Sequence, residues 1–467
     1  MEAKDQCFSS DDQEPPVSPT GQYFNSSALS VSIVAVFESE VPIDDSPTVE
    51  TLESIFLPIN PRFSSIMVKD NNGVTRWRKV TVNLEDHINI PSFPPKLEHY
   101  DKYVNDYISK IAYDQLSQSK PLWEIHIIKY PTKTSQGTLV FKLHHSLGDG
   151  FSLMGALFSC VRRADDPSKP LTFPSHKAKK SQKEAFWSGT IRGMSMGVNT
   201  FRDFGWSLWK STLGKDDLSP MRSGEIGVEF RPINICCNEF GLDDIKRIKD
   251  KLGGTINDVI SGVIFYGLHL YMLGCGHDPN TSKVTALVLL NTRNVTSYQT
   301  LDELTKPKAK TSWGNNFGFL HATVPKCENA KEADPLYFVT AARKIIKSKR
   351  NSLSVFLTGK FLEMMRKIRG PEVTAKYIHA TLKNTSMTIS NLIGPLEQMI
   401  IAGHPVKSFH FMVVGVPQSL TITVVSYMGK LKVVMGAQQG FINSELLTSC
   451  MTISFQRILE ATKLNKA

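Results

Sequence analysis

A chain of 467 residues exceeds what one hydrophobic core organises, so two domains are expected, and a hydrophobic share of only 41% excludes a polytopic membrane protein. The formal net charge of +10 favours anionic partners such as CoA phosphates or acidic lipid surfaces, whereas the dispersal of the basic residues, with no aromatic-basic recognition motif, argues against nucleic acid. Seven cysteines, an odd number without a CxxC spacing, exclude a disulfide scaffold and a structural zinc site and fit a reducing compartment.

In chain order, residues 1–20 are polar and acidic, which predicts a disordered head and no secretory signal. Ala28 to Phe37 reads as a buried strand, Val49 to Phe56 as a short helix and Trp77 to Val82 as a second strand. The proline-bearing segment Asp86 to Pro95 is a loop. Leu97 to Leu116 is helical, with Tyr100, Val104, either Tyr107 or Ile108, Ile111 and Leu116 facing inward. The strand Trp123 to Tyr130 pairs through a turn-rich loop with Thr138 to His144.

The following stretch, Thr138 to Val161, organises the chain. Leu139, Phe141 and Leu143 alternate with Val140 and Lys142, a strand pattern; Phe151, Met154, Leu157, Phe158 and Val161 fall three or four apart, a helix pattern. Between them stands His144-His145-Ser146-Leu147-Gly148-Asp149-Gly150. The full pattern of two histidines, three residues and Asp-Gly is expected by chance on the order of 0.001 times in such a chain. His145 continues the face of Leu139, Phe141 and Leu143, and His144 lies on the other face, so the two rings do different work. An imidazole is largely neutral at cytosolic pH and can accept a proton from an alcohol while its oxygen attacks an activated acyl group. Asp149 reads either as part of that site or as a helix N-cap.

Arg162 to Lys183, rich in Lys, Pro and Ser, reads as a linker. The domains are expected at 21–165 and 226–467, with 166–225 a linker carrying an amphipathic helix. In that helix Trp187, Ile191, Met194, Val198, Phe201, Phe204 and Leu208 form an apolar stripe edged by Lys183, Arg192, Arg202 and Lys210. The stripe either packs against the protein or lies in a membrane interface. Gly193-Met194-Ser195-Met196-Gly197 matches the hydrolase elbow and makes Ser195 a rival nucleophile, but no strand precedes it. In the second half, strands are expected at Phe230 to Phe240, Val284 to Asn291, Gly314 to Val324 and in three runs from Ser408 to Gly440. Helices are expected at Leu242 to Leu252, Leu336 to Arg350 and Phe441 to Thr462. Thr255 to Leu273 is apolar enough to mimic a membrane span, yet Asp258 and His269 inside it favour a buried core helix.

His144 to Gly150 resembles the HHxxxDG motif of the wax ester synthase/diacylglycerol acyltransferase family in its plant branch, within the CoA-dependent acyltransferase superfamily. Pro121-Leu122-Trp123-Glu124, Asn257-Asp258, Asn291-Thr292-Arg293, Gly314-Asn315, Ser390-Asn391 with Gly394-Pro395, and Pro16 to Pro19 follow in family order, covering nearly the whole chain. The resemblance implies an α/β fold of two chloramphenicol-acetyltransferase-like domains with mixed sheets and the active site at their interface. It implies transfer of a fatty acyl group from acyl-CoA, a co-substrate, to a long-chain alcohol or diacylglycerol, with His145 as base and no metal or resident cofactor. Asp149 and Gly150 would shape the loop, and His144 would support it. Arg293 would pair with Asp149 or stand as an exposed loop arginine, and Asn257 is a candidate for the unidentified oxyanion donor or a polar residue of a helix's first turn. The family also implies a membrane surface as partner, at the cytosolic face of the endoplasmic reticulum or at the plasma membrane. A hydroxycinnamoyl-type acyltransferase, the nearest alternative, requires a DFGWG motif near the C-terminus; here Asp203-Phe204-Gly205-Trp206 comes far too early.

Overall fold

Alternating apolar runs become the strands of two large sheets in the computed structural model, which describes residues 15–174, 200–291, 313, 317–327, 332–350 and 354–464. In chain order these strands are β1 (Ser32–Ser39), β2 (Ile88–Asn89), β3 (Trp123–Ile128), β4 (Gly137–His144), β5 (Val161–Arg163), β6 (Ile233–Gly241), β7 (Thr285–Asn291), β8 (Phe317–Thr323), β9 (Met387–Leu392), β10 (Met399–Ile401), β11 (His404–Val414), β12 (Leu420–Tyr427) and β13 (Lys430–Gln438). The first sheet runs β2-β3-β4-β1-β11-β10-β5, and the second β6-β13-β12-β9-β7-β8. Both are mixed: β2 and β3 pair in parallel, as do β7, β9 and β12, and the remaining ladders are antiparallel. The helices named below are α1 (Pro19–Phe24), α2 (Asp101–Tyr113), α3 (Gly150–Ser159), α4 (Leu242–Leu252), α5 (Ile256–Gly274), α6 (Pro335–Arg350), α7 (Ser354–Arg369), α8 (Pro371–Lys383) and α9 (Ser444–Leu464).

The alternation predicted for β4 decides which core each side chain joins. Leu139, Phe141 and Leu143, with Ile33, Ala35 and Phe37 of β1, enter the larger core under α1, α3 and α8. Val140, Val34 and Val36 face the other way, against Val104, Ile108 and Ile111 of α2 and against Val434 of the second sheet. The first sheet is therefore buried on both faces, which is why its strands read as near-continuous apolar runs.

Several expectations change. The chain is already docked from residue 15: the amide of Val17 donates to Thr75 O at 2.9 Å and Ser18 caps α1, so the ordered part of the head reaches back to Pro15, while residues 1–14 lie outside the described residues. Arg162, expected in a linker, lies in β5, which pairs with β10. The 225/226 boundary does not separate the sheets, because β10 and β11 leave the second half and complete the first sheet beside β1. The apolar sequence of β11 declares a buried strand but not which sheet it joins, and β10 is not among the expected strands. Helices α7 and α8, not anticipated, follow α6.

Helix α5 behaves as its internal charge suggested. It is the one described helix long and apolar enough to cross a membrane, and 72% of its apolar window is buried, against α6 and α9. Its Asp258 is spent on a capping box with Thr255. Residues 187–199 of the expected amphipathic helix lie outside the described residues. Residues 200–212 are helical but turned: Asp203, Ser207, Lys210 and Ser211 are buried, while Phe201 and Trp209 face out. Lys210, expected at the solvent edge, pairs in the interior with Asp216. Asp216 also accepts from Thr285 and from Ser386 at 2.6 Å, so the pair is fully hydrogen-bonded where a lone charge would be prohibitive.

Candidate active site

β4 ends where its neighbours still offer carbonyls, and this fixes the motif's main chain. The amide of His144 donates to Leu122 O at 3.0 Å, at the entrance to β3, and the amide of His145 donates to Val31 O at 2.8 Å, just before β1. The two rings then point to opposite faces. Leu122 and its neighbour Trp123 are themselves held, because the indole of Trp123 is fully buried, donates to Phe63 O at 2.9 Å and stacks on His87.

The His144 ring is buried and its tautomer follows from its partners. The amide of Ser146 donates to Nδ1 at 3.2 Å, so Nδ1 is unprotonated and Nε2 carries the hydrogen, which faces Ser30 Oγ at 3.2 Å. The Ser146 hydroxyl lies 2.8 Å from Nδ1 and serves it as a second donor. Burial, then the neighbouring His145 and Lys142, push the pKa of His144 down to about 3, so this ring is a neutral hydrogen-bonding strut.

His145 sits on the larger-core side, 6% exposed, with its ring centroid 4.6 Å from that of Phe24 on α1. α1 can approach because Gly21 lacks a side chain; a Cβ there would stand 3.2 Å from Ser146 O. Beyond the histidines the chain turns back, Leu147 N donating to His144 O at 3.0 Å. The carbonyl of Leu147 receives two donors: Arg62 Nη1 at 2.9 Å, from the first half of the chain, and Trp313 Nε1 at 2.7 Å, from the second. Burial holds Arg62 down to about 10, still fully charged at neutral pH. Asp149 caps α3, its carboxylate accepting from the amide of Ser152 at 3.0 Å, and Gly150 begins the helix.

On the His144 side a cleft opens between the lobes. It is small, with a cavity volume of about 20 Å³, room for about one water, beside Ser30, Ser32 and Tyr113 of the first lobe and Glu229 and Phe230 of the second. It adjoins a second small cavity, also of about 20 Å³, reaching Ile233, Thr421 and Gly436. Ser30, which holds His144, is part of its wall; His145 lines neither space and lies behind that wall. Gly415 closes the cleft at the end of β11 with φ +79°, and its Cβ position stands 2.0 Å from Ser30 O, so only glycine fits there.

Asn257 lies in the first turn of α5, exposed, and its Oδ1 accepts from Asn391 Nδ2 at 2.6 Å. The Asn-Asp and Ser-Asn pairs, 134 residues apart, thus meet each other in the second lobe; none of the described contacts joins Asn257 to His145. Arg293, Ser195 with its elbow, and Gly314-Asn315 lie outside the described residues. Among the described residues no group of three or more His, Cys, Asp or Glu could hold a metal. Ser30, Arg62 and Trp313, which fasten the turn, carried no sequence signal, because each reaches it from a distant part of the chain.

A family model described as the wax ester synthase/diacylglycerol acyltransferase catalytic domain matches residues 48–204, and the C-terminal domain of that family matches 313–459. Wax ester synthase/diacylglycerol acyltransferase 11 of Arabidopsis thaliana is 30% identical over 437 residues, 90% of this chain and 89% of its own length. The chain belongs to the wax ester synthase/diacylglycerol acyltransferase family. Another family member, acyltransferase 4 of the same plant, is 29% identical over 91% of this chain and 85% of its own length. The fold is that of the family. The structure of the enzyme from Marinobacter aquaeolei VT8 matches with a TM-score of 0.60 at 15% identity, covering 97% of this chain and 99% of that one. The starter condensation domain of rhizomide synthetase, solved in complex with C8-CoA, matches with a TM-score of 0.54 at 11% identity, covering 93% and 89%. This family member is accordingly an acyltransferase built from two mixed α/β domains of the chloramphenicol-acetyltransferase and condensation-domain type.

Proposed function

We propose that this acyltransferase moves a fatty acyl group from acyl-CoA to the hydroxyl of a long-chain alcohol or of a diacylglycerol, with His145 as general base. The imidazole takes the hydroxyl proton as the alcohol oxygen bonds to the thioester carbonyl carbon. The tetrahedral adduct then collapses, the C–S bond breaks, and the departing CoA sulfur takes the proton back from the imidazolium, leaving an ester and free CoA. His144 holds the main chain of the turn without exchanging protons, and Asp149 orders the start of α3. The observation that carries the reading is the separation of the two rings: one is locked neutral by Ser30 and Ser146, and the other stands on the opposite face of the same strand end. The matched family and the C8-CoA complex of the condensation domain support acyl-CoA as donor. The cytosolic face of the endoplasmic reticulum is the site of action this reading adopts.

Product analysis tests it. The purified chain is supplied with palmitoyl-CoA and either hexadecanol or diacylglycerol, and with an aromatic acyl-CoA and aromatic alcohol for comparison. The expected result is ester from at least one lipid acceptor, and a loss of at least about a hundredfold in His145→Ala with unchanged thermal unfolding. Turnover only with the aromatic pair, or His145→Ala as active as the parent, overturns the reading.

A further inference from the structure

The helix at 200–212 is built the wrong way round for a helix that packs on a protein core. Its inward side is polar: Asp203 receives Lys349 at 2.6 Å, and Lys210 pairs with Asp216, both acids nearly inaccessible. Its outward side carries Phe201 at 83% exposure, and Leu213 just beyond the helix is 77% exposed. Isolated exposed apolar residues need no explanation, but here a second helix continues the surface. Phe204 meets Phe361 of α7 edge-on, ring centroids 6.3 Å apart, which sets the two helices side by side. On α7, Leu357, Met364 and Ile368 are exposed and recur seven and four residues apart on one face, with exposed Phe356 in the first turn beside it, Phe356 at 61% and Ile368 at 71%.

The charge beside this face is basic. Lys360 and Lys367 share it, each about two-thirds exposed, Arg369 follows at the end of α7, and Arg202 stands beside Phe201. The acids near it are occupied: Glu363 lies between Lys360 and Lys367, and Asp203 is buried. An apolar stripe edged by lysine and arginine suits the boundary between acyl chains and anionic headgroups, where both halves find their solvent.

We propose that residues 200–213 and α7 form one docking face for an anionic bilayer surface. Phe201, Leu213, Phe356, Leu357, Met364 and Ile368 enter the headgroup layer, and Arg202, Lys360, Lys367 and Arg369 meet lipid phosphates. This goes beyond the acyl-transfer reading and does not depend on it, because lipid binding is measured without turnover.

The test is flotation of the full chain with phosphatidylcholine vesicles, with and without phosphatidylserine. The parent is expected to float with the phosphatidylserine vesicles and to be released by salt. Phe356→Glu with Ile368→Glu is expected to lower partitioning at least about a hundredfold. Lys360→Gln with Lys367→Gln is expected to weaken binding to phosphatidylserine vesicles by about fivefold per charge and to leave the weak phosphatidylcholine binding unchanged. Both doubly substituted chains replace exposed side chains and should keep the parent's unfolding temperature and its turnover in detergent micelles. No flotation of the parent, or flotation unmoved by either pair, overturns the proposal. So does a parent dimer in sedimentation that Phe356→Glu with Ile368→Glu dissociates, since the face would then be covered by a second copy.

Discussion

Four histidines should make this protein sensitive to mild acid, well above the range where carboxylates protonate. His126, His144, His321 and His410 are all buried, and desolvation is the first cause lowering each of them: to about 3 for His144 and His321, and to about 4 for His126 and His410. In the unfolded chain each returns to about 6.5. The unfolded state then binds more protons below that value, so stability rises with pH, is nearly complete above about 7 and is lost as pH falls from about 6.5 towards 4. At pH 5.5 each unfolded imidazole is about nine-tenths protonated and each folded one nearly unprotonated, so unfolding should take up about 3.5 protons through these four groups. Moving from pH 7 to 5.5 should cost about 1.3 kcal/mol per histidine, roughly 5 kcal/mol together, comparable with the whole stability of many domains. The assay is proton uptake on urea unfolding in weakly buffered solution, beside the denaturation midpoint across the same range. His321→Phe sharpens it: the site is buried and the ring Nε2 has no hydrogen-bond partner, so an apolar ring should remove about 0.9 of a proton from the uptake. Uptake below one proton at pH 5.5, or a midpoint that holds until pH 4.5, refutes the reasoning.

His144→Phe keeps the ring's volume but strands the Ser146 amide and the hydroxyls of Ser30 and Ser146, so it should lose about 2–4 kcal/mol in urea unfolding and lower kcat in whatever remains folded. Gly415→Ala sets a Cβ 2.0 Å from Ser30 O at a positive φ and should destabilise by about 2–4 kcal/mol, whereas Gly403→Ala, at the same φ but with open space, should cost about 1 kcal/mol; equal losses would show that the close approach does not matter. Trp313→Phe retains the edge-on contact with Phe63 at 5.9 Å but removes the donor to Leu147 O, and should lower kcat by roughly three- to tenfold at unchanged KM.

Local rules made much of this legible. The β4 alternation alone puts His144 and His145 on opposite faces, and the inward face of α2 falls on Tyr100, Val104, Ile108 and Ile111, while Leu116, expected with them, lies past the helix in the larger core. Thr255 capped α5, and the polar residues inside that helix argued for a core. These succeed because a strand or helix repeats its own environment every two or 3.6 residues. What failed was information no period carries. An apolar strand does not name its sheet, so β10 and β11 gave no sign of joining the first lobe. The helix at 200–212 showed an apolar stripe, and burial is the usual fate of one; only the partners Asp216 and Lys349 reveal that its polar side is the one turned inward.

The same limit explains why the motif could be found while its support could not. Seven consecutive residues declare a strand-to-helix turn with two histidines, but the turn is held by groups recruited from across the chain. Ser30 and Val31 approach from the segment before β1, Leu122 from the edge of β3, Arg62 from the first lobe and Trp313 from the second. The crossing of β11 belongs to this arrangement, because it lays Gly415 against Ser30 O, and Val31 is the residue that receives the amide of His145. A displacement of β11 would therefore move the carbonyl on which His145 hangs. The strand exchange between the lobes and the placement of the proposed general base are parts of one mechanical unit, and loosening either should be read in kcat before it is read in substrate affinity.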